Sequence, residues 1–494
     1  MKKNFFSAAC LIAGAAVMFS SCSNDDDVIN GGNGNGNDPV QTISMQVANT
    51  GDNFIGTRAT DRPLYSSEAK QNIEKVKVVI YKLDGITANS SAEDKKNAIY
   101  GDNKTIAAVK TFEDWMNGGV SSVYNNTNGH GRQASWTLST SDLIKDEGFY
   151  VAYAIGYNST NYDYNTAGSW KSFLELAKGG QTTFPVSVNA NADEVKEIFA
   201  GMSDIFEVTK KEQAVEGGNV ESYHFNTSIT LHRQVAGAIG YFTNIPTKGN
   251  ADHATATGSK LRLVAAAKNT KAVFAEFNSA YKGKPGAETD VAYVVNGYGP
   301  ATANAKFYST AENNAADDAF TVYEIDLADW FTNANMDTNN DGLLNELDED
   351  WTTPASMTDV KVKEGSVLAG KFMMPFELVA DKATFQLQML DEQGNIIRYW
   401  NIRLPKGTTT NDSQIGKKVT VVSENGAATE AATVENNVNY SIVRNHLYTI
   451  GARDMGDNPE NPGTDPDKPQ DLNDETLILK VNDNWEMIHH MEVD

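Results

Sequence analysis

Residues 475–494 constrain this chain more than any other stretch. They read ETLILKVNDNWEMIHHMEVD. Among the odd positions from 477 to 493, Leu477, Leu479, Val481, Trp485, Met487, Met491 and Val493 are apolar, and only Asp483 and His489 are not. The even positions contribute just Ile478 and Ile488. Period-two alternation means an extended strand with one buried face. Ordinary strands run roughly five to six residues, whereas this one would reach about 55–60 Å at roughly 3.3 Å per residue. Asp483 and His489 interrupt the apolar face, so two docking segments are expected, 477–481 and 485–493, with a break at 482–484.

The segment before it, 454–474, carries Pro459, Pro462, Pro466 and Pro469 among acidic residues, glycine and asparagine. Such a composition is extended, polyproline-like and unable to build a core. At about 3.1 Å per residue it spans on the order of 50–60 Å. The expectation is a terminal strand able to leave its own domain and lie in another chain's groove.

The two cysteines, Cys10 and Cys22, both fall in an N-terminal leader. Lys2 and Lys3 give its positive start and 5–19 its short apolar stretch, too short to span a membrane. Small residues then lead into Cys22, as in a bacterial lipobox with a relaxed −3 position. Cys22 is the expected lipid-bearing N-terminus of an outer-membrane lipoprotein; a secretory peptide with an incidental cysteine is the competing reading. Ser23, Asn24 and Asp25–Asp27 follow, either as an acidic export tag or as a solvated spacer. A net charge of −24 argues against nucleic acid or an anionic membrane surface as partner.

After a glycine- and asparagine-rich spacer, Ile43, Met45 and Val47 alternate with polar residues as a short half-buried strand. A polar loop then reaches Arg58-Ala59. Loops of this kind are where proteases cut. Arg62 is the poorer site because Pro63 follows it. From Val76 onward strands far outnumber helices: Val76, Val78 and Ile80; Phe149, Val151, Tyr153, Ile155 and Tyr157; Leu261 and Leu263; Phe385, Leu387 and Met389, paired with Ile396, Trp400 and Ile402 across the turn at 391–395. One helical insert is expected near 170–177, and 438–450 is expected to be the last strand of the body. With no β–α rhythm, the chain is expected to be all-β: two Greek-key sandwiches, at 59–228 and 229–453, with small helical inserts.

One local pattern suggests an ion. Residues 337–348, DTNNDGLLNELD, fit the calcium-loop template, with Asp337, Asn339, Asp341, the Leu343 carbonyl and Asp348 as ligands and Gly342 at the turn. Aspartate at the twelfth position resembles dockerin-type loops, and the expected role of one Ca2+ is structural. An Asx-rich surface turn is the alternative. His489 and His490 point to opposite faces of a strand and cannot share a metal. There is no nucleophile elbow, phosphate loop or zinc-helix motif, so no enzyme is expected.

Taken together, Cys22, Arg58, the sequence LHRQVA at 231–236 and above all VRNHLY at 443–448 resemble the type V pilins, the FimA/Mfa-like fimbrillins, on the Mfa-like side. The resemblance implies two transthyretin-like sandwiches and a precursor exported as a lipoprotein. It implies that an arginine-specific protease cuts between Arg58 and Ala59, removing 22–58 and its strand. The tail of an identical subunit then fills the groove head-to-tail, building a fimbria on the cell surface with accessory anchor and tip subunits and an unnamed host or bacterial surface ligand. Removing 1–58 takes 3 basic and 5 acidic groups and leaves a charge of −22. Counting apolar plugs alone, the tail gains on the order of 6–12 kcal/mol over the departing strand, at roughly 1.5–3 kcal/mol per side chain. A non-polymerising surface lipoprotein that binds glycan or host protein, or an accessory anchor or tip, is the competing reading.

Overall fold

The computed structural model describes residues 41–47, 73–99, 101–115, 122–125, 130–157, 173–184, 186–189, 195, 197–215, 218–269, 271–274, 294–295, 297–298, 302–303, 320–357, 362–379, 383–403, 420–422, 428–430, 439–451, 469–473 and 487–493. Strands dominate, as the alternation predicts. In the first half they are β1 (Gln41–Val47), β2 (Lys75–Lys82), β3 (Gly101–Phe112), β4 (Ser122–Asn125), β5 (His130–Thr137), β6 (Gly148–Tyr157), β7 (Gln181–Phe184), β8 (Val186–Asn189), β9 (Phe199–Met202), β10 (Phe206–Val215) and β11 (Gly218–Arg233). Their order is β4-β5-β1-β11-β10-β6-β2-β3-β7, with β9 bridging β11 and β6.

The first half is a sandwich. Ile43, Met45, Trp136, Ile229 and Leu231 from the β5-β1-β11 side pack on Val76, Val78, Ile80, Ala152 and Ala154 from β2 and β6. The opposite face of β2 and β6, with Val79, Tyr81, Val151, Tyr153 and Ile155, is buried against the second half. Burial on both faces explains why the β2 sequence KVKVVIYK is nearly continuous in apolar residues rather than cleanly alternating. Gly201 is required where β9 passes close to β11. A Cβ there would stand 2.1 Å from the Thr230 carbonyl oxygen.

The second half holds β12 (Ala236–Thr243), β13 (Lys260–Ala265), β14 (Thr321–Asp326), β15 (Val367–Met373), β16 (Phe385–Leu390), β17 (Ile396–Arg403), β18 (His446–Ile450), β19 (Gln470–Asp471) and β20 (Met487–Val493). Their order is β14-β13-β16-β17-β20-β18-β12-β15, with β19 also on β12. The expected hairpin β16–β17 is present, and Asp391 Oδ1 ties its turn by accepting from the Gln393 and Asn395 amides at 3.0 and 2.8 Å.

Three features differ from expectation. The final body strand is only β18, because Asn445 adopts φ +54° and interrupts any strand from 438. A helix at Ala92–Ile99 was not anticipated. Its N-terminus is closed by Ser91 and Asp94, the Asp94 amide donating to Ser91 Oγ at 3.0 Å and Ser91 Oγ to Asp94 Oδ2 at 2.6 Å. The helical insert expected near 170–177 is described only from Phe173, where the chain is helical and the Leu176 amide donates to the Phe173 carbonyl. The proline segment is not coreless throughout. Leu472 is buried, its amide donates to the Thr243 carbonyl, and Asn244 Nδ2 donates to Asp471 at 2.6 Å.

The halves are locked where the two sequence motifs meet. Arg233, at the end of β11, is buried and donates through Nε to Glu197 Oε1 at 2.8 Å and through Nη1 to Asn445 Oδ1 at 2.8 Å. Its guanidinium lies 5.0 Å from the Phe199 ring centroid. Glu197 is only 1% exposed, and the Asn445 amide returns a bond to the Val235 carbonyl at 2.9 Å. Tyr153 adds a second tie, its hydroxyl donating to the Phe274 carbonyl at 2.8 Å. Removing one partner of a buried ion pair strands the other charge. Glu197→Ala is therefore expected to cost about 3–5 kcal/mol in urea unfolding. Lys260→Ala, which breaks a half-exposed pair with Glu324, should cost at most about 1 kcal/mol.

Candidate functional site

The departing strand predicted from sequence is β1, and it is an inserted strand. It runs parallel to β11, from Gln41 opposite Phe225 to Val47 opposite Leu231, and antiparallel to β5, with Ile43 opposite Trp136. Ile43 and Met45 are fully buried, as the alternation requires. Gln41 stands on the same phase and is also buried. Its amide forms a two-point clamp on one residue of the loop after β5: Nε2 donates to the Ile144 carbonyl at 2.6 Å, and Oε1 accepts from the Ile144 amide at 2.8 Å. The sequence offered a signal for this, a polar residue in phase with Ile43, Met45 and Val47.

Arg58, Ala59 and Cys22 lie outside the described residues, as do Leu477, Leu479, Val481 and Trp485. Met487, Met491 and Val493 belong to β20, whose backbone is placed. Here the structure differs from the expectation of a tail away from home. β20 lies in its own sheet, parallel to β18 from His446 opposite Met487 to Ile450 opposite Met491, and antiparallel to β17 through Ile402 opposite Val493. It is the strand that joins β17 to β18. The physical reason is backbone satisfaction: without it two sheet edges would present unpaired N–H and C=O groups. β1 and β20 thus occupy slots of the same polarity, each with one parallel and one antiparallel neighbour.

The 337–348 loop brings its predicted residues together, but around the backbone. Asp337 accepts from the Asp341 and Gly342 amides at 3.1 and 3.0 Å, and Asn339 Oδ1 from the Asp341 amide at 2.8 Å. Asp341 accepts from the Leu343 amide at 2.8 Å, and Asp348 from the Thr338 and Asn345 amides at 2.8 and 2.9 Å. Gly342 takes φ +88°, as the template demands, and its carbonyl receives the Thr247 amide and hydroxyl. The donor chemistry suits Ca2+, but the arrangement does not fit it ready-made. Among the described residues no three His, Cys, Asp or Glu side chains gather as an ion's ligands would.

No family model matches the sequence, and no curated protein sequence matches it. Among solved structures the fold is similar to the fimbrial anchor protein Mfa2 from Porphyromonas gingivalis, at 10% identity over 82% of this chain and 99% of that one, with a TM-score of 0.30. It is also similar to a candidate cell adhesion protein from Bacteroides eggerthii, at 12% identity over 84% and 97% of the two chains, TM-score 0.29. One from Bacteroides uniformis matches at 11% identity over 80% and 96%, TM-score 0.22. Superpositions this loose carry no functional weight.

Two measurements probe these sites. Gln41→Ala leaves a buried amide and carbonyl of Ile144 without their partners, at a cost of roughly 1–3 kcal/mol, and should speed hydrogen exchange in β1 more than in β2. In Ca2+ calorimetry, Asp337 and Asp341 must give up their amide partners to reach an ion. Uptake is therefore expected to be weak and to vanish in an Asp337→Ala, Asp341→Ala double variant.

Proposed function

We propose that the chain is the structural shaft subunit of a cell-surface fimbria: exported as a lipoprotein through Cys22, processed between Arg58 and Ala59, and polymerised when the 475–494 tail of an identical subunit replaces β1. The observation that carries this reading is β1 itself. It is a seven-residue strand inserted between β5 and β11, and the only chain connecting it to the body passes through Arg58. A cut there leaves β1 held by non-covalent contacts alone. The matching polarity of the β1 and β20 slots supports the exchange, since a strand parallel to β18 at home can lie parallel to β11 in a neighbour.

The home position of β20 alters the energetics. The donor does not come from water, so the area-based gain of the tail over β1 is offset by what β20 gives up between β17 and β18. Exchange is then a contest between two slots, decided by the length of pairing and by the loss of β1 after cleavage. The same observation favours one second reading. A chain that keeps β20 at home accepts a donor strand without giving one, as a terminal accessory subunit would. Adhesion, and the surface ligand, belong to the assembled fibre on either reading.

Treating the purified precursor with an arginine-specific protease separates the readings. A shaft subunit should yield heat-resistant ladders on gels and filaments by electron microscopy. Arg58→Ala, or deletion of 475–494, should leave folded monomer. Cleavage after Arg58 without ladders would favour the accessory subunit, and ladders from the tail-deleted chain would sink strand exchange.

A further inference from the structure

β11 is far longer than the strand it shelters. It runs 16 residues, Gly218–Arg233, while β1 covers only Phe225 to Leu231. On the other side, β9 pairs with His232 and Arg233, and β10 pairs with every residue from Gly218 to His224. The registers of β9 and β10 against β11 differ by one residue, and both strands lie on the same side of β6. They therefore follow one another along one edge of β11, with β1 on the opposite edge. Beyond Phe225 that opposite edge continues through 218–224 with no strand on it among the described residues.

This part of β11 forms a two-stranded ribbon with β10, which pairs with β6 only at Phe206–Val208. Isolated two-stranded ribbons are marginal in water, and this one gains little from its ion pairs. Lys210 reaches Glu212 and Glu221 at 2.8 and 2.6 Å on an exposed surface. Its hydrogen bonds to Glu212 and Glu221 hold the ammonium above its ordinary range. Tyr223 meanwhile packs against the core beneath β1, so the apolar surface of the slot extends onto the ribbon. No proline interrupts β11, and such an edge is a template for another strand.

We infer that the free edge of β11 at Gly218–His224 is the second half of the acceptor groove, and that its occupant is the tail of a second copy of this chain. The inference rests on the proposed strand exchange and names its docking surface. Length carries it. The tail alternates over 475–494, about three times the span of β1. Residues 218–231 of β11 offer fourteen consecutive pairing positions, about 46 Å at roughly 3.3 Å per residue. A tail confined to the vacated slot would leave about two-thirds of its length unpaired. One that continues along the ribbon, parallel to β11 as β1 is, doubles its backbone pairing and stabilises the ribbon.

Disulfide cross-linking tests this. Cleavage after Arg58 removes both native cysteines, so introduced ones report cleanly. Glu221→Cys, on the same face of β11 as Tyr223 and Phe225, is combined in turn with Leu479→Cys, Val481→Cys and Asp483→Cys, and the cleaved protein is polymerised and oxidised. At least one pair should give ladders that survive boiling but collapse on reduction, while Glu212→Cys, the partner of Glu221 on β10, gives none. Replacing 211–222 by an Asn-Gly turn should leave ladders that dissolve at lower temperature. Heat-resistant ladders with no cross-link from any Glu221 pair, or with the shortened hairpin as resistant as the wild type, would overturn the β11 assignment while leaving strand exchange intact. Failure of the wild-type chain to polymerise at all would overturn both.

Discussion

A sheet edge must have a partner, and much of this molecule follows from that requirement. Both halves are completed by a strand inserted from outside the consecutive run: β1 between β5 and β11, and β20 between β17 and β18. In each slot the inserted backbone satisfies one parallel and one antiparallel neighbour, and its absence would expose two rows of N–H and C=O groups. Apolar burial adds to this but does not choose the occupant. Ile43 and Met45 fill space that any strand with the same alternation could fill.

Between the slots the protein is stiffened by a junction that combines apolar and ionic burial. The β2–β6 sheet is covered on both faces, so the first half is packed on the second through Val79, Tyr81 and Tyr153. Arg233 is pinned between Glu197 and Asn445. A buried guanidinium is costly unless its donors are met. Here the carboxylate comes from the segment before β9 and the amide oxygen from the turn before β18. The two motifs at 231–236 and 443–448 are thus parts of one contact.

Much of this was legible in the sequence, because alternation is a local signal of burial. β1, β6, the β16–β17 hairpin and the terminal strand all announced themselves through period two. β2 was recognisable from Val76, Val78 and Ile80, but its second buried face was not, because two-sided burial erases alternation. The helix at Ala92–Ile99 escaped because ALA-rich periodicity is absent and only Ser91 and Asp94 mark its start. Glu197 and Arg233 could not be paired from sequence, since 36 residues separate them. The home of β20 was hidden for a different reason. Periodicity says that a face is buried, never which groove buries it, and for a strand on a long tether the nearest groove is its own. The calcium template was met in spacing, yet the same Asx side chains that could ligate an ion can equally cap backbone amides.

The Gln41 clamp bears on kinetics. It fastens β1 to Ile144 at the Phe225 end, beside the edge of β11 at 218–224 that carries no strand among the described residues. An invading strand that gained a foothold there would advance by branch migration, one residue of β1 peeling away for each newcomer zipped in. Its first step would be its hardest, since the latch must open before the rest of β1 can follow. A barrier placed at the start of the invasion lets the slot keep its original occupant until the invader is already bound.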